Sequence, residues 1–254
     1  MTDPRAAAVE DNLLSFFARV ADLPTFRRED AADVDAVRSD VPFAMFNSVT
    51  GARFGADAAR RTGEVADAFI GRGLPWLWWV TPSHTSPELE ATLEERGLHR
   101  EDVPGMYADL ATAPPAPDVE GLAIEQTTDA AAFIEVMAAG FGLPEAVRGP
   151  MTEVMDQFGA SIDLVASVDG RPVACGTAYL TGTTAGLYNI ATLEEARGRG
   201  IGYAVTVALM ERARIGGAQH AVLHASESGR PVYARAGFVD VCNVPQYLWM
   251  PPVN

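Results

Sequence analysis

No lysine occurs anywhere in the 254 residues; all 19 basic residues are arginine. A P-loop ends in Gly-Lys-Ser/Thr, so that phosphate cradle is excluded, as is a lysine Schiff base with pyridoxal phosphate. Cysteine is nearly as scarce. Cys175 and Cys242 are expected as buried free thiols within strands rather than as a disulfide. The four histidines show no metal-ligand spacing, and neither C-x-x-C nor H-E-x-x-H occurs, so no metal is expected. No apolar run reaches the about 18 residues that a membrane span needs. The opening Met1-Thr2-Asp3-Pro4 lacks a basic region followed by an apolar one, so no signal peptide and a cytoplasmic location are expected. Positive charge is the last shortage. A formal net charge of −15 argues against nucleic acid or an anionic membrane as partner. It is compatible with a cationic amine, although solubility alone accounts for it.

What the chain does have is a glycine- and arginine-rich turn, Arg197-Gly198-Arg199-Gly200-Ile201-Gly202-Tyr203. A strand, Leu187 to Thr192, is expected before it. A helix is expected after it, with Ile201, Val205, Ala208 and Leu209 at helical spacing and Gly216-Gly217 as the stop. Closely spaced glycines let the backbone curl and bring its N–H groups near a ligand. The helix start adds free N–H groups and the positive end of its dipole, and the arginines add full charge. Strand, curl and helix start together make an anion site fit for a phosphate or pyrophosphate. The dinucleotide fingerprint G-x-G-x-x-G does not fit, because Tyr203 or Val205 falls where its last glycine belongs.

Arg197, Gly200 and Gly202 do meet Arg/Gln-x-x-Gly-x-Gly/Ala, which resembles the acyl-CoA pyrophosphate loop of the GNAT superfamily of N-acyltransferases. Further on, Tyr233-Ala234-Arg235-Ala236-Gly237-Phe238 resembles the family's Tyr-x-x-x-Gly-Phe signature. The two stand in the right order with a helix and a strand between them, and the resemblance covers about residues 120–251 closely. It implies an α/β protein with the mixed, splayed sheet of the GNAT fold.

Ala113-Pro114-Pro115-Ala116-Pro117-Asp118 is a stiff linker by composition. The stretches on either side echo each other. Phe46 to Thr50 parallels Tyr188 to Thr192, and Leu93 to Leu98 parallels Tyr233 to Phe238. Val103 to Tyr107 parallels Val244 to Tyr247 with a shift of one residue. We read two tandem GNAT-like halves: a degenerate copy over 1–112, a linker over 113–119 and a catalytic domain over 120–254. The first copy has Gly51-Ala52-Arg53-Phe54-Gly55 in place of the curl and Leu93 in place of Tyr233. Its expected role is to pack against the second half and shape the acceptor cleft.

In the first half, Val9, Leu13, Phe16, Phe17 and Val20 form the stripe of an opening helix. Further helices are expected near 56–71 and 86–96, and strands near 41–49 and 75–81. In the second half, strands are expected at 121–126, 162–168, 172–180, 185–192 and 219–225, with a hairpin turn at Asp169-Gly170. Helices are expected at 129–140, 145–158, after the curl and from 229, before closing strands.

The resemblance implies a ternary complex of acetyl-CoA with an amine of a small molecule or protein. The pantetheine would pair with main-chain groups of Ile190, Ala191 and Thr192, and the pyrophosphate would rest on Gly198, Arg199, Gly200, Ile201, Gly202 and Tyr203, with Arg197 and Arg199 adding charge. Tyr233 matches the family's acid for the leaving thiolate. Ser226 stands where the family often has a pantetheine-binding Asn. Some members carry a Glu base on the preceding strand; here that position is Ala221. His220, His224 and a water relay stay open, and no base is assigned. Monomer and homodimer are both open. A non-catalytic acyl-CoA sensor or scaffold and another nucleotide-binding α/β protein are the competing readings.

Overall fold

The computed structural model describes residues 3–29 and 31–252. Met1 and Thr2, part of the opening read against a signal peptide, lie outside the described residues. Two compact units are present, and neither is a simple sequence half. One comprises residues up to Leu13 together with Gly105–Val241; the other comprises Leu14–Pro104 together with residues from Cys242 on.

The first half of the chain supplies α1 (Pro4–Ala21), β1 (Arg27–Arg28), β2 (Val34–Arg38), β3 (Ser48–Ala52), α2 (Ala58–Ile70), β4 (Trp76–Trp79), α3 (Pro87–Glu95), β5 (His99–Glu101) and β6 (Pro104–Asp109). The second half supplies β7 (Leu122–Gln126), α4 (Ala130–Phe141), α5 (Glu145–Phe158), β8 (Ser161–Val168), β9 (Arg171–Thr181) and β10 (Thr184–Thr192). It continues with α6 (Ile201–Ile215), β11 (His220–His224), α7 (Arg230–Arg235), β12 (Val239–Asn243) and β13 (Gln246–Trp249).

The unit containing Gly105–Val241 holds a seven-stranded sheet ordered β12-β6-β11-β10-β9-β8-β7. The other holds a six-stranded sheet ordered β1-β2-β3-β4-β13-β5. The orders correspond strand for strand: β8-β9-β10-β11-β6-β12 in one, β1-β2-β3-β4-β13-β5 in the other, with β7 added at the first sheet's edge. In each, the fifth strand comes from the opposite half of the sequence. The two segments that echo each other, Val103 to Tyr107 and Val244 to Tyr247, have traded places. They pass at Val103 and Val244, where the Val244 N–H donates to the Val103 carbonyl at 2.9 Å. β6 pairs antiparallel with β11 over five residues, and β13 pairs with β4 over four. The closing strands expected within the second half are thus divided, β12 joining one sheet and β13 the other. The division at 113–119 does not mark a break between units, although those residues have no regular secondary structure, as their prolines require.

The helical pattern is observed over α1, where Val9, Leu13, Phe17 and Val20 are buried and Phe16 is half-buried. The strand expected at 41–49 is a correction. Residues 44–46 form a 3-10 turn and the strand begins only at Ser48. Asn47 is the physical cause: its buried amide donates to the carbonyls of Val41 at 2.9 Å and Phe43 at 3.1 Å and accepts from the Ser39 N–H at 3.0 Å, folding that segment around itself. β1, two residues long, and β2 lie outside the expected strands. The Asp169-Gly170 hairpin has φ of 51° and 76°, the doubly left-handed turn that matches strand twist.

Candidate functional site

The glycine curl and the strands around it lie in the unit that contains Gly105–Val241. β10 and β11 run parallel and are paired only at Thr184↔His220, Ala185↔Ala221 and Gly186↔Val222. Beyond Gly186 the register ends although both strands continue, so the edge of β10 from Leu187 to Thr192 is not paired with β11. On its other edge, β10 steps from Tyr188↔Thr177 to Ala191↔Cys175, a bulge that leaves Asn189 and Ile190 outside the register. Asn189 is left-handed there, with φ 55°.

The chain then makes a 3-10 turn at Glu194–Ala196 and enters the glycine curl. Gly198 and Gly200 have φ of 75° and 81°, a region that residues with a Cβ enter only under strain. A Cβ at either would meet nothing within 4 Å. Backbone conformation therefore requires glycine at these two positions; internal packing does not. Gly200 is the N-cap of α6 and no side chain caps it, so the N–H groups of the first turn, Ile201 to Tyr203, face outward unsatisfied by the helix. Arg199 is exposed and makes no ion pair among the described residues. Arg197 is differently used. Its guanidinium donates to the carbonyls of Thr192 at 3.1 Å and Gly140 at 3.0 Å. Gly140 is itself at contact limit, since a Cβ there would lie 2.9 Å from Ala191 Cβ. Arg197 thus ties the end of α4 to the end of β10.

Residues 135–238 match the profile of the acetyltransferase (GNAT) family. Over this stretch the chain is similar to GNAT acetyltransferases. Members of this family transfer acetyl groups with acetyl-CoA as co-substrate. The whole-chain fold recurs in a GCN5-related N-acetyltransferase from Kribbella flavida, with 18% identity, a TM-score of 0.70 and coverage of 98% of this chain and 96% of that one. A GCN5-related N-acetyltransferase from Sphaerobacter thermophilus matches at 17% identity and a TM-score of 0.63, covering 99% and 95%. A tandem GNAT protein from the clavulanic acid biosynthesis pathway matches at 16% and 0.57, covering 97% and 96%. Identities this low speak for the fold alone. No protein of curated function matches the chain in sequence.

The second sequence signature is brought onto the first. Tyr203, in the opening turn of α6, carries the Arg235 guanidinium of α7 stacked 4.2 Å from its ring centroid. Tyr233 lies on the same short helix, and a Cβ on Gly229 would stand 2.8 Å from its ring and 3.1 Å from the Ser226 hydroxyl. Ser226 and Tyr233 therefore flank one glycine. The Ser226 hydroxyl accepts from the Gly229 N–H at 3.2 Å, which shapes the turn into α7. Burial pushes the Tyr233 phenol up to about 12, so it holds its proton at neutral pH.

The two histidines on β11 separate. His220 sits at the strand end away from the curl, with Nδ1 2.5 Å from the Tyr107 hydroxyl. His224 sits at the near end, and burial pulls its pKa down to about 4, leaving it neutral at pH 7. Cys175 is buried, its thiol pushed up to about 12 by desolvation; Cys242 is half-buried, and neither is in a disulfide. No cluster of metal-ligating side chains occurs among the described residues, and no described helix is long and apolar enough to cross a membrane.

Sequence reading missed the packing role of Gly140, the stack of Arg235 on Tyr203, and Asp163. The last had a visible signal: a carboxylate in the apolar run Ile162-Asp163-Leu164-Val165.

Proposed function

We propose that the chain is an acetyl-CoA-dependent N-acetyltransferase that passes an acetyl group directly to a primary amine within a ternary complex. The supporting observation is the pairing of an open, left-handed glycine curl with an uncapped helix start, onto which the Tyr233 helix is docked by the Arg235–Tyr203 stack. The N–H groups of Gly198 to Tyr203 bind the pyrophosphate, with Arg199 as the nearby full charge. Arg197 acts mainly as a brace, since carbonyl oxygens already hold its guanidinium. Ile190, Ala191 and Thr192 present main-chain groups on the edge where β10 leaves β11, and the pantetheine pairs there as a strand would. A main-chain N–H of the bulge polarises the thioester carbonyl, a contribution of about 3 kcal/mol where such donors are removed elsewhere. The amine nitrogen bonds to the acyl carbon, the carbon–sulfur bond breaks, and Tyr233 gives its proton to the departing thiolate. Ser226 flanks the same pantetheine path. The amine's surplus proton leaves to solvent, and solvent returns one to the Tyr233 phenolate.

The other unit is a degenerate copy in this reading. Where the curl would be, Arg53 is paired with Asp35, Arg60 with Asp57 and Glu64, and Arg61 with Asp33 and Glu64. Its arginines are neutralised, and Leu93, in place of the tyrosine, is fully buried core. Those carboxylates leave no net positive charge for a pyrophosphate.

Calorimetry on the full chain with acetyl-CoA, NAD and ATP tests the ligand, and free-thiol titration with an amine panel tests the reaction. Saturable binding of acetyl-CoA alone and thiol release dependent on an amine are expected. Preference for NAD or ATP refutes the ligand; tight acetyl-CoA binding with no turnover across the panel makes the chain a sensor instead. The acetylated product, identified by mass spectrometry, names the acceptor.

A further inference from the structure

We infer that Asp163 and Thr177 are positioning residues that hold the β10 bulge in shape through the side chain of Asn189. Asp163 on β8 and Thr177 on β9 are directly opposite, as are Thr177 and Tyr188 on β10, so the three strands carry one row across the sheet. The Thr177 hydroxyl donates to Asp163 Oδ1 at 2.7 Å, and the Ser161 hydroxyl donates to Oδ2 at 2.6 Å. Asn189 Nδ2 in turn donates to Thr177 Oγ1 at 3.3 Å.

The order of this chain of hydrogen bonds follows from Asp163. An ionised carboxylate only accepts, so the single proton of Thr177 must point at it. That leaves a lone pair of Thr177 Oγ1 facing Asn189, which only the NH2 end of the amide satisfies. The orientation of Asn189 is thereby decided by a residue two strands away. Asn189 and Asp169 are the two non-glycine residues with positive φ among those described, and Asp169 is a hairpin tip. Asn189 has no such turn to hold it. Its backbone carbonyl is also gripped, by the Cys175 thiol at 3.5 Å. Held at both ends, it keeps itself and Ile190 out of the ladder.

Asp163 is only 9% exposed and pairs with no arginine among the described residues. Burial raises its pKa, and the two hydroxyl donors work against that rise. A leucine in this strand position would avoid the cost of burying a carboxylate. What leucine cannot supply is a pure acceptor that sets the direction of Thr177. The functional consequence rests on the reading above, in which the bulge amides meet the thioester.

Hydrogen–deuterium exchange of the ligand-free full chain tests the anchor without that reading. Thr177→Val removes both the bond to Asp163 and the bond from Asn189; loss of the latter should speed exchange of amides 189–192 by about fivefold to tenfold, while Thr177→Ser stays near wild type. In an Asn189→Gly background, Thr177→Val should add less than about twofold at those amides, because the link it breaks is already gone. Asn189 is exposed, so Asn189→Ala folds even where the buried variant does not, and it should show the same local acceleration. Exchange within about twofold of wild type in both Thr177→Val and Asn189→Ala overturns the proposal, as does equal acceleration by Thr177→Val in both backgrounds. Calorimetry with acetyl-CoA then reads the consequence separately. Wild type that does not bind refutes the acetyl-CoA reading and leaves the exchange result standing.

Discussion

Residues 120–254 expressed alone should not form the native domain, because the exchange of β6 and β13 makes each unit depend on both sequence halves. β6 is missing from that fragment and β13 has lost its sheet. The cost follows from the structure. Met106 and Leu110 are each 2% exposed and Ala108 3% exposed, all within the core around α6. Burying a Met or Leu side chain contributes about 1.5–3 kcal/mol, so removing the segment costs about 3–6 kcal/mol of apolar burial alone. Total stability of a domain is about 5–15 kcal/mol. The five-residue edge of β11 also loses its partner, opening a row of main-chain groups to self-association. Circular dichroism on heating and size-exclusion chromatography decide the matter. The fragment is expected to aggregate or to melt at least about 10 °C below the full chain. Extending it to begin at Pro104 restores β6 and should recover part of the difference. It does not restore Asn12, which accepts from the Tyr188 hydroxyl at 2.7 Å and donates to the Tyr179 carbonyl at 3.3 Å. A monomeric 120–254 fragment with a cooperative transition within about 5 °C of the full chain would refute the reasoning.

Tyr233→Phe should lower kcat by about 10²-fold while the acetyl-CoA Kd moves less than about twofold; equal losses in both would assign the ring to packing. Gly200→Glu and Gly202→Glu should abolish acetyl-CoA binding by placing bulk and negative charge in the curl, and an unchanged Kd would remove the curl from the site. His224 is neutral when folded, with its pKa near 4 against 6.5 unfolded, so the unfolded chain binds the extra proton between those values. Stability should therefore be full above about pH 6.5 and fall by up to about 3 kcal/mol toward pH 4. His224→Gln should flatten that slope in denaturant titrations, and an unchanged slope would show that other groups govern it. Asp163, its pKa raised by burial, acts in the opposite direction over part of this range.

Much of the second half was legible because its signals are local. The helix pattern after Gly200 and the strand runs around the Asp169-Gly170 turn depend on residues a few positions apart, and the observed α6, β8, β9 and β10 begin and end close to where those signals do. The repeat was legible too, down to the correspondence of Val103–Tyr107 with Val244–Tyr247. What the amino-acid order could not say is that these equivalent strands change partners. Two segments with the same pattern fit the same slot, and only the packed core decides which chain fills it. The same limit applies at the site. The curl announces itself because glycine is needed for a backbone conformation, a property of the residue alone. That Arg197 is spent on two carbonyl oxygens, that Arg235 stacks on Tyr203, and that a carboxylate on β8 orients an amide on β10 are facts of distance. Apart from the Arg197–Thr192 bond, which spans five residues, they arise between positions 12 to 57 residues apart, and folding alone brings such residues together.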